Sequence, residues 1–492
     1  METTAWPQWA VRFLAMGLLT RRYSIMIRRR ASYWFSYQLG LDRPVCRTSG
    51  SFLAQHLIVD RRHIGFGTVL LAAALLTLTM TPARAEPATT LSYPASTSAT
   101  RLSGRAFDTC AAPPLTTMQA WTSSPYDGVG VYIGGVNRTC SQPNLTAAWV
   151  TAVSLQGWRI IPIYVGHQAP CTGRRNAAEF TVATAALLGT ADAADAVLQA
   201  QGLGMLPGSA LYGDMEHYAS WDVACRAAVL SYVSAWTKEL HRLGYLSGMY
   251  ANLTSGAKHL SEAYISPDYA RPDAIWIARW DANSTLTGWA GIPNAQWPNH
   301  QRGKQYEGDH DETYGGVKIN IDSDRFDAPV ATVSYPYQVT SSVALNGRSG
   351  PTTSAPRVVN YAAGSTVPVI CQTAGRKVGT TSVWNKLADG NYVTDNYIST
   401  PSKTTYSPPL PRCTYLFQVM VPTLNRRTGP GPRYPIAGTL SNGALGWVTC
   451  QRSGSRVGTT SVWNKLDDGT YLTDLYLATP NKVTYSPPLP RC

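Results

Sequence analysis

Between Gly104 and about Val330 the chain alternates short apolar runs with stretches of helical period. The strand-like runs are GRAFDTC, GVGVYIGG, RIIPIYVG, ALYGDME, LSGMYAN, AIWIARWD, HQRGKQYE and VKINIDSD. Helical stretches at 177–188, 191–201 and 222–243 separate the earlier ones. Eight strands interleaved with helices over roughly 225 residues predict an α/β domain, an irregular (β/α) TIM-type barrel spanning 104–333. The gap from Gln305 to Ile319 is too short for a regular helix, so the closing part is expected to be irregular.

Beyond residue 333 the pattern changes. Short runs such as TVPVIC, SVWNKL and NYVTDNYI alternate with Gly, Asn and Asp turns, and the whole unit recurs. GTTSVWNKL stands at 379–387 and 458–466, and TYSPPLPRC at 405–413 and 484–492. Two small all-β barrels follow, repeat 1 over 334–413 and repeat 2 over 414–492. Trp384 and Trp463 read as core residues of these barrels, and the SPPLP segments as extended ends.

At the other end, the apolar run 66–80, FGTVLLAAALLTLTM, follows Arg61-Arg62-His63 and precedes Thr81-Pro82-Ala83-Arg84-Ala85. Basic head, apolar stretch and A-x-A exit are the parts of a secretory signal, placed at 59–85 with cleavage after Ala85. Asp60-Arg61-Arg62-His63-Ile64 also fits a twin-arginine signal loosely, leaving the export route open. Residues 1–58 read as an upstream extension, with the true start nearer Val59, where a GTG codon would read as valine. The Ser/Thr/Ala-rich stretch 86–103 reads as a linker.

Charge changes little in this picture. The net charge of +13 is concentrated upstream, since residues 1–63 hold ten Arg against Glu2, Asp42 and Asp60. About +5 remains for 86–492, compatible with an anionic cell wall and too diffuse for nucleic acid. Cysteine usage says more. Without Cys46 the nine cysteines become eight, an even number in an exported chain. Cys371 and Cys413 occupy the same places in repeat 1 as Cys450 and Cys492 in repeat 2, so one disulfide per repeat is expected. Cys110, Cys140, Cys171 and Cys225 allow three connectivities. No CxxC or His cluster accompanies them, so no metal is expected.

Carboxylates gather where barrel chemistry sits, at the C-terminal ends of strands. Asp108 ends the first strand, Asp214 and Glu216 the fourth, Asp322 and Asp324 the eighth. Strand alternation puts Asp214 and Glu216 on one face with Tyr212, while Leu211 and Met215 turn outward to helices. Two acids in one mouth repel and desolvate each other, which raises one pKa. An elevated acid beside an ionised one is what glycoside hydrolysis uses.

FDTC, YIGG, GWRIIPIYVG and LYGDMEHY resemble the glycoside-hydrolase-like domain of unknown function of secreted actinobacterial proteins, over about 105–330. That group is similar to glycoside hydrolase family 25, the lysozymes that cut the muramic acid linkage of peptidoglycan. The likeness to family 25 rests on an Asp ending strand one, D-x-E on strand four, WIARW on strand six, QY on strand seven and NIDSDRF at the close. The order LNxRxGP…DGxYV…DxY in each repeat resembles bacterial SH3 domains of cell-wall enzymes. The resemblance implies Glu216 as general acid, with Asp214 stabilising, attacking or orienting a substrate acetamido group. Asp108 and Asp322 would complete the acidic floor, and Tyr250, Trp280 and Gln305 would line sugar subsites.

The function expected is therefore that of a secreted, wall-associated, muramidase-like hydrolase acting on peptidoglycan glycan strands, targeted by its SH3-like repeats. It would be a monomer with no cofactor, no nucleic-acid partner and no membrane span after signal cleavage. The rival expectation is a catalytically silent wall-binding or maintenance protein on a hydrolase scaffold. The surroundings of Glu216 separate them. Enclosed by Trp, Tyr or Met it would be primed to donate, whereas tied to an Arg it would be ionised and unable to.

Overall fold

The computed structural model describes residues 98–492. The expected upstream extension, the export signal and most of the linker fall outside them. Eight strands close a barrel in chain order: β1 (Thr100–Asp108), β2 (Tyr126–Gly134), β3 (Arg159–Tyr164), β4 (Ala210–Met215), β5 (Leu246–Asn252), β6 (Ala274–Ala278), β7 (Arg302–Tyr314) and β8 (Val317–Val330). Neighbours from β1 to β7 pair in parallel, and β8 runs antiparallel to both β7 and β1.

Helices α1 (Leu115–Ala120), α2 (Ala147–Leu155), α3 (Ala185–Gly202), α4 (Val223–Arg242) and α5 (Lys258–Glu262) follow the first five strands. Local chemistry sets their ends. The Thr146 side chain accepts from the Trp149 N–H to start α2, and Asp222 accepts from Cys225 to start α4. His241 and Arg242 sit in the last turn of α4, where the helix dipole favours a cation.

Three expectations are corrected. Residues 177–184 are not helical, because Ala178 and Phe180 exchange backbone bonds with Gln168 and the Thr181 and Thr184 hydroxyls cap each other's N–H. The barrel begins at Thr100, inside the expected linker, since Thr100–Ser103 pair with Asp327–Val330 of β8. The closing part is regular: the stretch after Gln305 continues as strand and turns at Gly315-Gly316. Both glycines have positive φ, 55° and 77°, as a two-residue hairpin turn requires.

Alternation divides the barrel's side chains into two cores. Ala106, Ile163, Ala210, Tyr212, Trp276 and Phe326 fill the inside. Leu211, Met215, Met249 and Ile277 face the helices. Gly248 on β5 leaves room for the Tyr212 ring, where a Cβ would collide with it.

Each repeat is a six-stranded antiparallel sheet. Repeat 1 comprises β9 (Tyr335–Gln338), β10 (Leu345–Arg348), β11 (Arg357–Tyr361), β12 (Thr366–Val378), β13 (Thr381–Leu387) and β14 (Tyr392–Thr394). Repeat 2 comprises β15 (Tyr415–Gln418), β16 (Thr423–Arg427), β17 (Ile436–Ser441), β18 (Leu445–Val457), β19 (Thr460–Leu466) and β20 (Tyr471–Thr473), in the same spatial order. Disulfides join Cys371 to Cys413 and Cys450 to Cys492. Trp384 and Trp463 are buried, their indole N–H groups donating to the carbonyls of Arg376 and Ser455.

The repeats are packed onto the barrel. Leu416, Leu445 and Trp447 of repeat 2 join the inner core beside Leu102 and Val330, sealing the end of the barrel opposite the mouth. The Ala99 N–H donates to the Thr414 carbonyl at 2.9 Å, and Arg101 pairs with Asp467 at 2.7 Å. Repeat 1 adds Tyr335, Val369 and Leu387 to the outer core. No helix among the described residues is long and apolar enough to cross a membrane.

Candidate active site

The C-terminal ends of the strands open into a cleft of about 270 Å³ lined by Asp108, Asp214, Glu216, Asp322, Tyr132 and Arg174. All four acids read from the sequence as catalytic meet there. Disulfides brace its rim: Cys110–Cys140 ties the segments after β1 and β2, and Cys171–Cys225 ties the segment after β3 to α4.

Asp108 is 2% exposed. Its carboxylate accepts from the Tyr132 hydroxyl at 3.0 Å and from Gln305 Nε2 at 2.9 Å. Burial, reinforced by the neighbouring charge of Asp322, nonetheless pushes its pKa up to about 7. Asp324 lies beneath, buried, accepting from the Trp276 indole at 2.9 Å. Burial and the nearby Asp108 hold its proton on well above the usual carboxylate range. Asp322 is raised by burial as well, with the Asp309 N–H donating to it at 2.6 Å in opposition.

On the facing strand, Asp214 is 9% exposed, and its Oδ1 has no hydrogen-bond partner within the protein. Burial, then the charge of Glu216, pushes its pKa well above the ordinary value. Gln168 fixes the turn out of β4, donating to the Asp214 carbonyl at 2.8 Å and accepting from the Glu216 N–H at 3.0 Å. Glu216 itself is ion-paired: Arg174, from the segment after β3, places Nη2 2.6 Å from its Oε1. Of the two environments foreseen for this residue, the structure has the arginine.

The expected sugar-subsite residues form one network with the acids. Gln305 is 2% exposed, because β6 and β8 flank it on both sides. Its Oε1 accepts from the Tyr250 hydroxyl at 2.8 Å and the Trp280 indole at 2.9 Å, while its Nε2 also reaches Asp322 at 3.1 Å. This corrects its expected place in a subsite: its amide is consumed in positioning Asp108 and Asp322. Tyr250 is half-buried and Trp280 is 61% exposed, and neither lines the cleft itself.

Sequence reasoning missed Tyr132, Gln168, Trp276 and Arg174. Tyr132 and Trp276 lie on strands whose alternation could have pointed to them, whereas Arg174 and Gln168 lie on an irregular segment with no period to read. Among the described residues no group of three His, Cys, Asp or Glu side chains is arranged to hold a metal ion.

Residues 119–326 match the family model described as Rv2525c-like, glycoside hydrolase-like domain. No curated protein matches. Among solved structures, the Tat-secreted protein Rv2525c of Mycobacterium tuberculosis, in complex with L-tartrate, is similar at 15% identity and a TM-score of 0.33, over 46% of this chain and 96% of that one. The catalytic domain of the endolysin ply40 from bacteriophage P40 of Listeria monocytogenes is similar at 13% identity and a TM-score of 0.28, over 46% and 93%. A family 25 glycosyl hydrolase from Bacillus anthracis is similar at 13% identity and a TM-score of 0.29, over 46% and 92%. The barrel with its acid-floored mouth is thus similar, over residues 119–326, to the Rv2525c-like, glycoside hydrolase-like domain.

Proposed function

We propose that this protein is an exported, wall-associated glycoside hydrolase that acts on peptidoglycan glycan strands by carboxylate acid/base hydrolysis at the barrel mouth. One observation carries the reading: Asp108 and Asp214, buried and shifted upward, share a cleft with Glu216, a carboxylate engaged by a cation. Burying acids whose charge is poorly compensated costs stability, and such groups concentrate at catalytic sites. Environments that push neighbouring acids apart in pKa provide a proton donor and a charged partner. Four disulfides fit an oxidising, extracellular compartment.

The roles expected for the two strand-four acids are exchanged in this proposal. Asp214, whose pKa burial and the charge of Glu216 raise well above the ordinary carboxylate value, lines the cleft and would protonate the glycosidic oxygen. Glu216 is the carboxylate that would stabilise the oxocarbenium-like transition state or attack the anomeric carbon. Trp280 would stack on a sugar face at the rim.

A second reading, the catalytically silent wall-binding or maintenance protein, is favoured by Arg174, which occupies Glu216 from inside the cleft. Turbidity loss and released reducing ends from purified peptidoglycan separate the two. The parent protein should release reducing ends, and Asp214→Asn and Glu216→Gln should each lower the rate by about 10²-fold or more. Sedimentation of the parent with the wall and no release would establish the silent reading. An Asp214→Asn variant at full rate would remove Asp214 as donor.

A further inference from the structure

Away from the mouth, a groove of about 910 Å³ lies between the two repeats. Four cations line it: Arg376 and Arg412 from repeat 1, Lys465 and Arg491 from repeat 2. None of the four forms an ion pair among the described residues. The one acidic side chain in the groove wall, Asp467, is already engaged by Arg101.

The packing of the modules explains why Lys465 is left open. Arg159 of the barrel donates to the Tyr335 hydroxyl at the start of repeat 1, at 3.0 Å. Lys386 of repeat 1 donates to the Tyr415 hydroxyl at the start of repeat 2, at 3.1 Å. Lys465 stands in repeat 2 where Lys386 stands in repeat 1, and it faces the groove. Two of the arginines are also held in place. Arg412 stacks on Tyr406 and Arg491 on Tyr485, each 3.9 Å from the ring centroid. A guanidinium held over a ring face by a cation–π contact leaves N–H groups to meet a bidentate anion.

We propose that this groove binds a linear anionic glycan of the cell wall, whose carboxylate or phosphate groups engage Arg376, Arg412, Lys465 and Arg491. Cations strung along a recess suit a chain with repeated negative groups better than a flat membrane surface. Asp467 holds the groove against Arg101 at the start of β1, the end of the barrel away from the mouth, so a polymer held there leaves the cleft open. The proposal does not require the cleft to be catalytic.

The test is titration of the purified protein with four probes of matched length: oligogalacturonate, poly(glycerol phosphate), neutral dextran and an oligo-glutamate peptide. At least one anionic glycan should bind ten times or more tighter than dextran. Raising NaCl from about 50 to about 500 mM should weaken that binding at least tenfold, through screening. The double variant Arg412→Ser/Arg491→Ser should lose at least tenfold at unchanged melting temperature, whereas Asp214→Asn should bind as the parent does. Which anionic glycan binds tighter tells carboxylate from phosphate. Preference for the peptide over both glycans, or full affinity in the double variant, overturns the proposal.

Discussion

Arg174 Nη2 lies 2.6 Å from Glu216 Oε1, so the acid read from the sequence as a proton donor is neutralised by a cation from the neighbouring strand's loop. Arg174 is more than half exposed, and an ion pair of that kind is worth only about 0–1 kcal/mol. The contact is therefore a weak element of the cleft.

Arg174 also acts on Asp214, whose pKa its charge lowers against the larger effect of burial. Arg174→Ala should let Asp214 hold its proton to higher pH. The basic limb of the pH–rate profile on peptidoglycan should move to higher pH. An unmoved limb would show that Asp214 does not set it.

Asp108 gives a pH dependence of stability. It holds its proton up to about pH 7 when folded, against a value of 3.8 in the unfolded chain. Across that interval the folded state binds more protons, so stability falls as pH rises from about 4 to about 7 and then levels off. Asp108→Asn should exceed the parent in stability at pH 8 by on the order of 2 kcal/mol, and not at pH 4. Denaturant titrations at the two pH values check this, and an equal difference at both would contradict it.

Trp447 is a joint between barrel and repeat 2. It is buried with Leu416 and Leu445 against the inner core, and Arg101 lies over its ring at 5.4 Å. Trp447→Ala should cost about 3–5 kcal/mol. Calorimetry should show a single unfolding transition in the parent and a separate, earlier one for repeat 2 in the variant. A single unshifted transition in the variant would mean that the docking does not depend on this side chain.

The Cys171–Cys225 bridge anchors the segment that carries Arg174. Replacing both cysteines by serine should destabilise the protein by about 4 kcal/mol, as expected for a loop of this length. It should also reproduce the pH–rate shift of Arg174→Ala. Lost stability with an unchanged profile would confine the bridge to a structural role.

Much of this was legible along the chain. A period of two in ALYGDME places Tyr212 and Asp214 inside and Leu211 and Met215 outside, because successive strand side chains must point to opposite faces. The duplicated stretches mark two modules with equivalent cysteines, and these pair within each repeat.

The tertiary structure alone decided the rest. Residues 177–184 have helical composition, yet they bond to Gln168, a partner that local sequence does not specify. Thr100–Ser103 look like linker, and they become strand because β8 returns beside them. Whether Glu216 met an aromatic wall or an arginine depended on where an irregular segment was carried by its disulfide. Likewise, only docking of the repeats left Lys386 against Tyr415 and Lys465 in an open groove. Periodicity determines which face a residue occupies. It does not encode which distant side chain arrives there, since that follows from chain closure and packing across hundreds of residues.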